Sequence, residues 1–350
     1  LKFFPAKSLA PAETIKQHLS RSRHSSFALS SFINLFTHPL FMKRSVIGLQ
    51  VKNKLCHVTW QDSRSFGKDK VLNTIYFVTP TYPRPEQIPE LTRLCHTLMH
   101  VPKIHWIVAD DSPFCSEELY NCYRKSGLPF THISSPKPFR YIGNFYPRGV
   151  ANRLASLKWI ADNVKKGILY FGDDDNTFDL QLFKEIRKTK RISMFPVGLI
   201  GGYGVSSPIV QDGKVVAFFD SWPGDRTFPV DMAGFAVNVE VLTPNVSMPY
   251  QAGYEEDKFL INLGLKIEDI EPLAENCTKV LVWHTRTFKY KKPNLLINIE
   301  RLSEIPKFQS FVKLLDTVLN LGMAEISSDS GTNPIVLYPK QVYKALPNHY

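Results

Sequence analysis

The amino-acid sequence predicts an α/β fold built around a parallel β-sheet. Between residues 74 and 171, short apolar runs alternate with longer segments whose apolar residues recur every three or four positions. This alternation is typical of parallel strands joined by crossover helices. Two apolar runs lead directly into aspartates, at Asp111 and at residues 173–175. Because ligands bind at the carboxyl ends of parallel strands, the two acidic strand ends indicate a ligand site at one edge of the sheet.

The first half of the chain supplies the regular elements. Short apolar runs rich in β-branched and aromatic residues are expected to be strands, at residues 74–79, 104–109, 130–133 and 168–171. The first strand is expected to end at Pro80, because proline lacks the backbone N–H of a strand residue. The segments between these runs are expected to be helices, at residues 88–98, 116–126 and 150–164.

The second half is less regular. Short strands are expected around residues 214–219, and the segment 280–287 is expected to finish as a strand end that carries His284 and Arg286. The carboxylates of residues 255–257 stand directly before an apolar run. Apolar residues at helical spacing predict one amphipathic helix over residues 311–319, and the rest of the C-terminal region is expected to be a tail.

The charge distribution argues against a nucleic-acid-binding protein. The chain has 350 residues, is 43% hydrophobic and carries a formal net charge of +11. Residues 1–70 hold 12 Lys and Arg against 3 Asp and Glu, so +9 lies there and only +2 in the other 280 residues. A nucleic-acid-binding domain needs a clustered positive surface, which the nearly neutral body does not offer. Residues 1–70 are therefore treated as a separate basic region of uncertain fold.

Targeting signals in the sequence are weak. No uninterrupted apolar stretch reaches the roughly 20 residues of a membrane-spanning helix, and the nearest candidate, residues 27–42, contains Asn34 and Pro39. The chain begins with Leu rather than Met, so a missing anchor is uninformative. Two acceptor triplets for N-glycosylation, at Asn245 and Asn276, favour a secretory context only weakly. The five cysteines form no metal-binding pattern and leave free thiols and disulfides equally open.

The three adjacent aspartates, residues 173–175, are the strongest chemical signal. Burying unpaired carboxylates is costly, and a divalent cation that also binds substrate phosphates would compensate them. The alternative is a solvated acidic turn that caps the next helix. The four apolar residues before the triplet and the Asn-Thr after it favour a metal and diphosphate site.

Five motifs, taken in their order along the chain, indicate a resemblance to a known family. They lie at residues 78–82, 147–150, 171–177, 228–236 and 282–287. Together they resemble the β-1,3-glucuronyltransferases that cap Gal-Gal in the proteoglycan linkage region or the terminal galactose of N-acetyllactosamine. The resemblance implies a GT-A type fold, UDP-glucuronate as donor, Mn²⁺ as cofactor and an inverting transfer. It also implies a homodimer and a Golgi membrane protein with a lumenal catalytic domain and a type II anchor.

The resemblance also divides the chain and assigns the donor residues. Residues 71–176 would form a Rossmann-like UDP-binding half, residues 177–293 an acceptor-binding half with a mixed sheet, and residues 294–350 a helical tail. Asp175 resembles the direct metal ligand, Asp173 a ribose contact, and Asp174 a contact to metal-bound water or the donor sugar. Further donor contacts are implied for the nucleoside at Pro80, Thr81, Tyr82 and Asp111, and for the diphosphate and uronate at Arg148, Arg153, His284 and Arg286.

The catalytic base is assigned in the same way. An inverting transfer needs one base to deprotonate the acceptor hydroxyl, and the family motif Gly-Tyr-x-Glu places it at Glu256. Without the resemblance, residues 255–257 would read as a solvated charge run. Trp222 resembles the aromatic platform under the acceptor galactose, and Arg226 and Asp231 resemble partners of its hydroxyl groups.

Two departures from the family pattern concern the acceptor. Ser206 stands where family members active on Gal-Gal usually have an acidic contact, and Ala252 stands where they have an arginine. We expect Gal-Gal-Xyl of the proteoglycan linkage region as the acceptor, with Gal-GlcNAc as the alternative. Two other functions stay open at this point: a related enzyme with a different nucleotide-sugar donor, and a non-catalytic carbohydrate-binding relative. The cationic residues expected around the donor favour a uronate over a neutral sugar.

Overall fold

Strands and helices alternate regularly in the first half of the chain, and short strands dominate the second half. The structure, a computed structural model, describes residues 57–62, 72–143, 145–222, 224–243, 246–285, 287–289, 291–327, 330–338 and 341–345. The strands among these residues are β1 His57–Trp60, β2 Ile75–Thr81, β3 Ile104–Asp110, β4 Phe130–Ser134, β5 Ile168–Phe171, β6 Thr177–Phe178, β7 Ile192–Met194, β8 Val197–Gly198, β9 Val205–Gln211, β10 Lys214–Phe219, β11 Phe235–Asn238, β12 Ile270–Pro272, β13 Val282–Trp283, β14 Asn294–Leu295, β15 Glu325–Ile326, β16 Ile335–Tyr338 and β17 Gln341–Ala345. The right-handed α-helices are α1 Gln87–Leu98, α2 Glu117–Lys125, α3 Val150–Asn163, α4 Leu180–Ile186, α5 Glu255–Asn262, α6 Ile299–Ser303 and α7 Gln309–Asn320.

An eight-stranded sheet lies at the centre, in the order β1-β4-β3-β2-β5-β11-β7-β12. The neighbours β4, β3, β2 and β5 are parallel, whereas β11 is antiparallel to both β5 and β7. The α/β class predicted from the sequence is confirmed, and so is the parallel arrangement of the four expected strands. Their carboxyl ends meet at one edge, which brings Asp111 and the aspartate triplet to the same side of the sheet.

Helices cover both faces of the central sheet. Successive strand residues point to opposite faces, so Phe77 packs in one apolar cluster with side chains of α1, α2 and α4. Its neighbour Val78 packs in a second cluster with side chains of α3 and α5. Because both faces are buried, the parallel strands are largely apolar, as the sequence pattern indicated.

A second sheet of five short strands, in the order β10-β9-β8-β13-β6, carries the rest of the site region. β6 begins two residues after Asp175 and pairs with β13, which places the triplet beside the segment that follows Trp283. The hydroxyl groups of Thr177 and Thr285 lie 3.2 Å apart across this pair. The second sheet therefore fixes His284 next to the acidic strand end.

The C-terminal region contains the predicted amphipathic helix as α7. Leu315 of α7 packs with Ile297 and Leu302 in a small separate cluster. The pair β14–β15 and the hairpin β16–β17 complete this region. No helix in the described ranges is long and apolar enough to span a membrane.

Two sequence expectations about local structure need comment. β2 does not end at Pro80 but continues through Thr81, where it still pairs with β3. The proline is tolerated because β5, on the other side, pairs with β2 only as far as Val78, so no ladder bond to β5 is lost beyond that point. Among the cysteines, Cys115 is disulfide-bonded and Cys122 is a free thiol, which settles part of the choice that the sequence left open.

Candidate functional site

A cavity of about 180 Å³ lies where β2, β3 and β5 end and α3 begins. Nine residues assigned from the sequence to donor or metal binding line it: Pro80, Thr81, Tyr82, Asp111, Arg148, Arg153, Asp173, Asp174 and Asp175. Six further lining residues had no role assigned from the sequence, although Gly149 and Thr287 belong to the motifs 147–150 and 282–287: Arg84, Glu86, Gly149, Asn152, Thr287 and Lys289. The cavity therefore brings together the carboxylates of two strand ends and several cationic side chains.

Asp174 is the most enclosed member of the triplet, with 5% of its surface exposed. The Thr81 hydroxyl donates a hydrogen bond to one carboxylate oxygen of Asp174 at 2.7 Å. The Arg84 guanidinium donates to the other oxygen, also at 2.7 Å. Both the charge and the hydrogen-bonding capacity of this carboxylate are thus compensated inside the protein, as a buried ion requires.

Asp173 is paired with Arg153 of α3, whose guanidinium lies 2.5 Å from a carboxylate oxygen of Asp173. The Arg153 side chain is largely buried, and its Nε has no hydrogen-bond partner among the described residues. Asn152, the preceding residue, donates to the backbone oxygen of Ala109 at 3.0 Å and so holds the start of α3 against β3. Arg153 therefore pairs with Asp173 in the wall of the cavity and keeps a buried Nε that has no partner among the described residues.

Asp175 differs from its two neighbours. Its backbone oxygen accepts hydrogen bonds from the Thr285 hydroxyl and from Arg93, but no described side chain donates to its carboxylate. Burial and the charges of Asp173 and Asp174 raise its pKa to about 6. Asp175 is therefore the carboxylate of the triplet with free oxygens, and an added cation would relieve the repulsion around it.

No group of three or more His, Cys, Asp or Glu side chains within the described ranges converges as a ready-made metal site. Octahedral Mg²⁺ or Mn²⁺ sites in nucleotide-dependent enzymes need fewer protein ligands, since phosphate oxygens and water supply the others. A single free carboxylate at Asp175 fits that kind of site.

Gly149 controls the position of Arg153. Its φ of +79° lies in the left-handed region, and an added Cβ would lie 2.7 Å from a terminal nitrogen of Arg153. We expect Gly149→Ala to lose roughly 1–2 kcal/mol of unfolding free energy through backbone strain and to weaken UDP binding by displacing Arg153. Urea unfolding and calorimetry with UDP would measure the two effects.

The matched control for this substitution is Gly213→Ala, because Gly213 has a φ of +72° and no atom within 4 Å of the added Cβ. It should lose stability but keep the affinity for UDP. Undiminished UDP affinity in Gly149→Ala would contradict the importance of the Arg153 position.

Tyr82 and Asp111 both line the cavity. The guanidinium groups of Arg84 and Arg148 lie 4.4 Å and 4.7 Å from the centre of the Tyr82 ring. Asp111 accepts a hydrogen bond from the backbone N–H of Lys137 at 2.6 Å. A second cavity of about 640 Å³ adjoins the first and shares Asp111 and Arg148. The second cavity therefore extends the space available to a ligand beyond the first.

His284 lies beside the cavity rather than in its lining. Its Nδ1 donates to a carboxylate oxygen of Asp231 at 3.0 Å. This hydrogen bond and the negative charges of Asp231, Asp173 and Asp175 raise the pKa of His284 to about 9, against the opposing effect of burial. The imidazole is therefore protonated at neutral pH and adds a positive charge next to the triplet.

Glu256 is the second residue of α5, and its carboxyl group is close enough to Asp231 and Arg153 to sense both charges. Burial raises its pKa to about 8, with further increases from Glu255 and Asp231 and an opposing effect of Arg153. The next residue, Asp257, anchors the helix by accepting the backbone N–H groups of Thr227 and Phe228 at 2.7 Å and 2.8 Å. Glu256 is thus a partly buried carboxylate of high proton affinity near Arg153, which lines the cavity.

Trp222 forms an aromatic surface next to α5, with 41% of its surface exposed. It meets Tyr254 edge-on at 5.2 Å, and Arg226 lies 4.5 Å from the centre of its indole. Arg226 is in turn fixed by a 2.9 Å hydrogen bond to Asp220. The ring is therefore held in place by neighbours on several sides while part of it stays exposed.

Tyr141 and Tyr250 connect the two sides of the site. Their rings stack at 3.7 Å with an interplanar angle of 12°. Tyr141 belongs to the loop that bounds the second cavity, and Tyr250 stands six residues before Glu256 in the chain. This loop and the segment that leads to Glu256 are consequently in direct contact.

The structure describes some, but not all, of the remaining residues singled out in the sequence. Arg286 and Asn245 lie outside the described residues, and their assignments stay predictions. Asn276 is exposed in a left-handed turn, Ala274–Cys277. Ser206 is 2% exposed, and its hydroxyl has no hydrogen-bond partner in the described part of the chain, whereas Ala252 is exposed.

Of the unanticipated residues, Arg84 and Lys289 had a usable signal in the sequence. Arg84 follows the 78–82 motif by two residues and Lys289 follows the 282–287 motif by two. A cation so close to an assigned donor motif predicts a role in the same site. Asn152 acts through a backbone contact to a distant strand, which a single sequence does not reveal.

Comparison with known families gives one domain match. The model of the family described as glycosyltransferase family 43 matches residues 94–288. That segment includes the carboxyl ends of β3 and β5, α3, Glu256 and His284.

Two curated relatives carry closely related names. Galactosylgalactosylxylosylprotein 3-beta-glucuronosyltransferase S of Drosophila melanogaster is 50% identical over 292 residues, which cover 81% of this chain and 71% of that protein. Galactosylgalactosylxylosylprotein 3-beta-glucuronosyltransferase 2 of Homo sapiens is 44% identical over 233 residues, which cover 64% of this chain and 72% of that protein. Among solved structures, S. aureus TarS 1-349 matches 61% of this chain and 60% of its own at 17% identity with a TM-score of 0.38, too distant to support an argument.

Proposed function

This chain belongs to glycosyltransferase family 43, and on that basis we propose that it transfers glucuronate from UDP-glucuronate to the 3-hydroxyl of a terminal galactose with inversion. The family resemblance and the α/β fold are confirmed, and the chain is a glycosyltransferase. The observation that supports the finer proposal is the cavity in which nine expected donor and metal residues lie together. The names of the relatives favour Gal-Gal-Xyl of the proteoglycan linkage region as acceptor.

The cationic side chains support a donor with several negative charges. Arg148, Arg153 and Lys289 line the cavity, and protonated His284 stands beside it. Guanidinium groups pair well with phosphate and carboxylate oxygens. A UDP-sugar whose sugar carries a carboxylate can form an additional ion pair with these cations that a neutral hexose cannot form. This difference favours UDP-glucuronate as the donor.

Mn²⁺ is the proposed cofactor, and the donor set fits it. Asp175 would hold the ion, since its carboxylate oxygens are free and repelled by Asp173 and Asp174. When bound, such an ion neutralises charge on the diphosphate leaving group. His284 and Arg153 would stabilise the same developing charge from the protein side.

Glu256 would remove the proton of the acceptor hydroxyl. Its raised pKa gives the ionised carboxylate a high affinity for that proton, and its place beside Arg153 sets it next to the donor. The acceptor oxygen would then attack the anomeric carbon from the face opposite the diphosphate, which produces inversion. Trp222 would support the apolar face of the galactose, with Arg226 and Asp231 near its hydroxyl groups.

The His284–Asp231 pair predicts a specific pH dependence. The folded protein binds a proton at His284 up to a pKa of about 9, whereas an unfolded histidine releases it near pH 6.5. The stabilisation from this pair should be complete below pH 6.5 and should disappear as the pH rises to about 9. Urea unfolding of wild type and Asp231→Asn from pH 6 to 10 would measure it.

In Asp231→Asn the pKa of His284 should fall toward its ordinary value, and this part of the pH dependence should vanish. NMR titration of the His284 ring protons reports the same change directly. Equal titration of His284 in both proteins would rule out Asp231 as the cause of the shift.

Acceptor choice is tested by one parallel assay. The full chain is incubated with UDP-glucuronate and Mn²⁺, with Gal-Gal-Xyl in one series and Gal-GlcNAc in the other. The proposal expects a higher kcat/KM for Gal-Gal-Xyl. A preference for Gal-GlcNAc would identify the alternative acceptor as the correct one, consistent with the departures at Ser206 and Ala252. No transfer to either acceptor would refute the proposed activity.

The cellular context completes the proposal. A Golgi enzyme with a lumenal catalytic domain, N-glycosylation at Asn245 and Asn276, and a homodimer all follow from the family resemblance. The exposed position of Asn276 is compatible with glycosylation. Glycosidase treatment of the secreted catalytic region and light scattering would test modification and dimer formation.

A further inference from the structure

We propose that Arg84 is a positioning residue of the donor site, and that it acts through Asp174, whose carboxylate it holds in place. The proposal rests on the proposed function only in that the cavity binds a nucleoside diphosphate together with a divalent cation. The family resemblance gives Asp174 a contact to metal-bound water or the donor sugar, and a carboxylate held by Arg84 is oriented for such a contact. The observed hydrogen bonds of Asp174 support the positioning role of Arg84.

Asp174 has a protein partner on each of its two carboxylate oxygens. Each of its carboxylate oxygens accepts a 2.7 Å hydrogen bond, one from Thr81 and one from Arg84. The Arg84 and Asp174 side chains are 13% and 7% exposed. These two short bonds fix the orientation of the Asp174 carboxylate in a nearly water-free environment, and losing either of them costs free energy.

The bonds around Asp174 join three strand ends. Thr81 ends β2, Asp174 follows β5, and the Gln87 side chain links Thr81 to Asp110 at the end of β3, at 3.2 Å and 3.1 Å. Arg84 closes this network from the turn between β2 and α1, with its guanidinium 4.4 Å from the centre of the Tyr82 ring. The network therefore sets the relative position of the strands that carry the donor contacts.

Arg84 also compensates one of the three negative charges of the triplet. Arg153 pairs with Asp173 and Arg84 pairs with Asp174, so the carboxylate of Asp175 is the one left for a cation. Without Arg84, Asp174 would be a buried and uncompensated charge beside Asp175. It would then turn toward the cation or displace the strand end, and either change would disturb the geometry at Asp175.

A double-mutant cycle tests this proposal. Arg84→Met, Asp174→Asn and the double variant are compared with the wild-type chain by calorimetry with UDP, with and without Mn²⁺. We expect Arg84→Met to raise the Kd for UDP in the presence of Mn²⁺ by about tenfold or more. The double variant should bind no worse than Arg84→Met, because both substitutions remove the same interaction.

Further variants separate positioning from folding. Arg84→Lys keeps the charge and should restore part of the Mn²⁺-dependent affinity. Arg124→Met removes a cation from the last turn of α2 and should have no effect. Circular dichroism of each variant shows whether it is folded, and Arg84→Lys keeps the cycle informative if Arg84→Met is unstable.

Two results would overturn the proposal. Fold-losses of the single variants that multiply in the double variant would mean that Arg84 and Asp174 each contact the ligand directly. Unchanged UDP binding in Arg84→Met would mean that the network does not position the site. Because the readout is UDP binding without sugar or acceptor, a chain that binds UDP but transfers no glucuronate would refute the proposed function and leave this comparison valid.

Discussion

Glu256→Gln should lower the turnover of glucuronyl transfer by about 10²–10⁴-fold, the usual contribution of a general base. Glutamine has nearly the same shape but cannot accept the acceptor proton. The pKa of Glu256 is raised to about 8 by burial and by the charges of Glu255 and Asp231, so the carboxylate that is lost is a strong base. UDP binding in the presence of Mn²⁺ should stay within a few-fold of wild type.

The neighbour Glu255 provides the matched control. Glu255→Gln should retain most of the turnover, and because Glu255 raises the pKa of Glu256, it should move the acidic limb of the pH–rate profile to lower pH. In wild type, kcat/KM for the acceptor should rise with pH toward about 8 as Glu256 loses its proton. Near wild-type turnover in Glu256→Gln would transfer the role of base to another group.

Asp175→Ala should abolish the effect of Mn²⁺ on UDP binding. Asp175 is the triplet carboxylate that no described side chain supplies with a hydrogen bond, and repulsion from Asp173 and Asp174 makes it the natural place for a cation. Calorimetry with UDP, with and without Mn²⁺, measures the effect without any need for transfer activity. Wild type should bind UDP more tightly with the metal, and the variant should bind equally in both conditions.

A control for the lost charge is Asp162→Ala. Asp162 lies at the exposed end of α3, paired with Lys158 at 3.0 Å, and its removal should leave the metal effect unchanged. If Asp175→Ala kept the full response to Mn²⁺, the direct ligand would have to be sought elsewhere.

The sheet and the main site were predictable because local patterns determine them. Apolar runs and helical spacing are local patterns that can be read from consecutive residues. Over residues 74–171 they predicted the four parallel strands and the helices that connect them. Asp111 and Asp175 could be placed at one edge because parallel strands end on the same side. The family motifs then supplied the roles that the pattern alone left open.

The partners of these residues could not be predicted in the same way. Arg84 and Asp174 are 90 residues apart in the chain, and His284 and Asp231 are 53 apart. Such pairs form only after the sheet has brought distant segments together, so no local spacing indicates them. The raised pKa values of Glu256 and His284 are likewise consequences of burial and neighbouring charges in the folded protein.

The linkage in the product is the most direct test of the central claim. The full chain is incubated with UDP-glucuronate, Mn²⁺ and a galactose-terminated acceptor, and the product is analysed by NMR. The proposed inverting transfer predicts glucuronate in β linkage at the 3-hydroxyl of the terminal galactose. An α linkage, a bond to another hydroxyl, or release of UDP without a glycan product would contradict it.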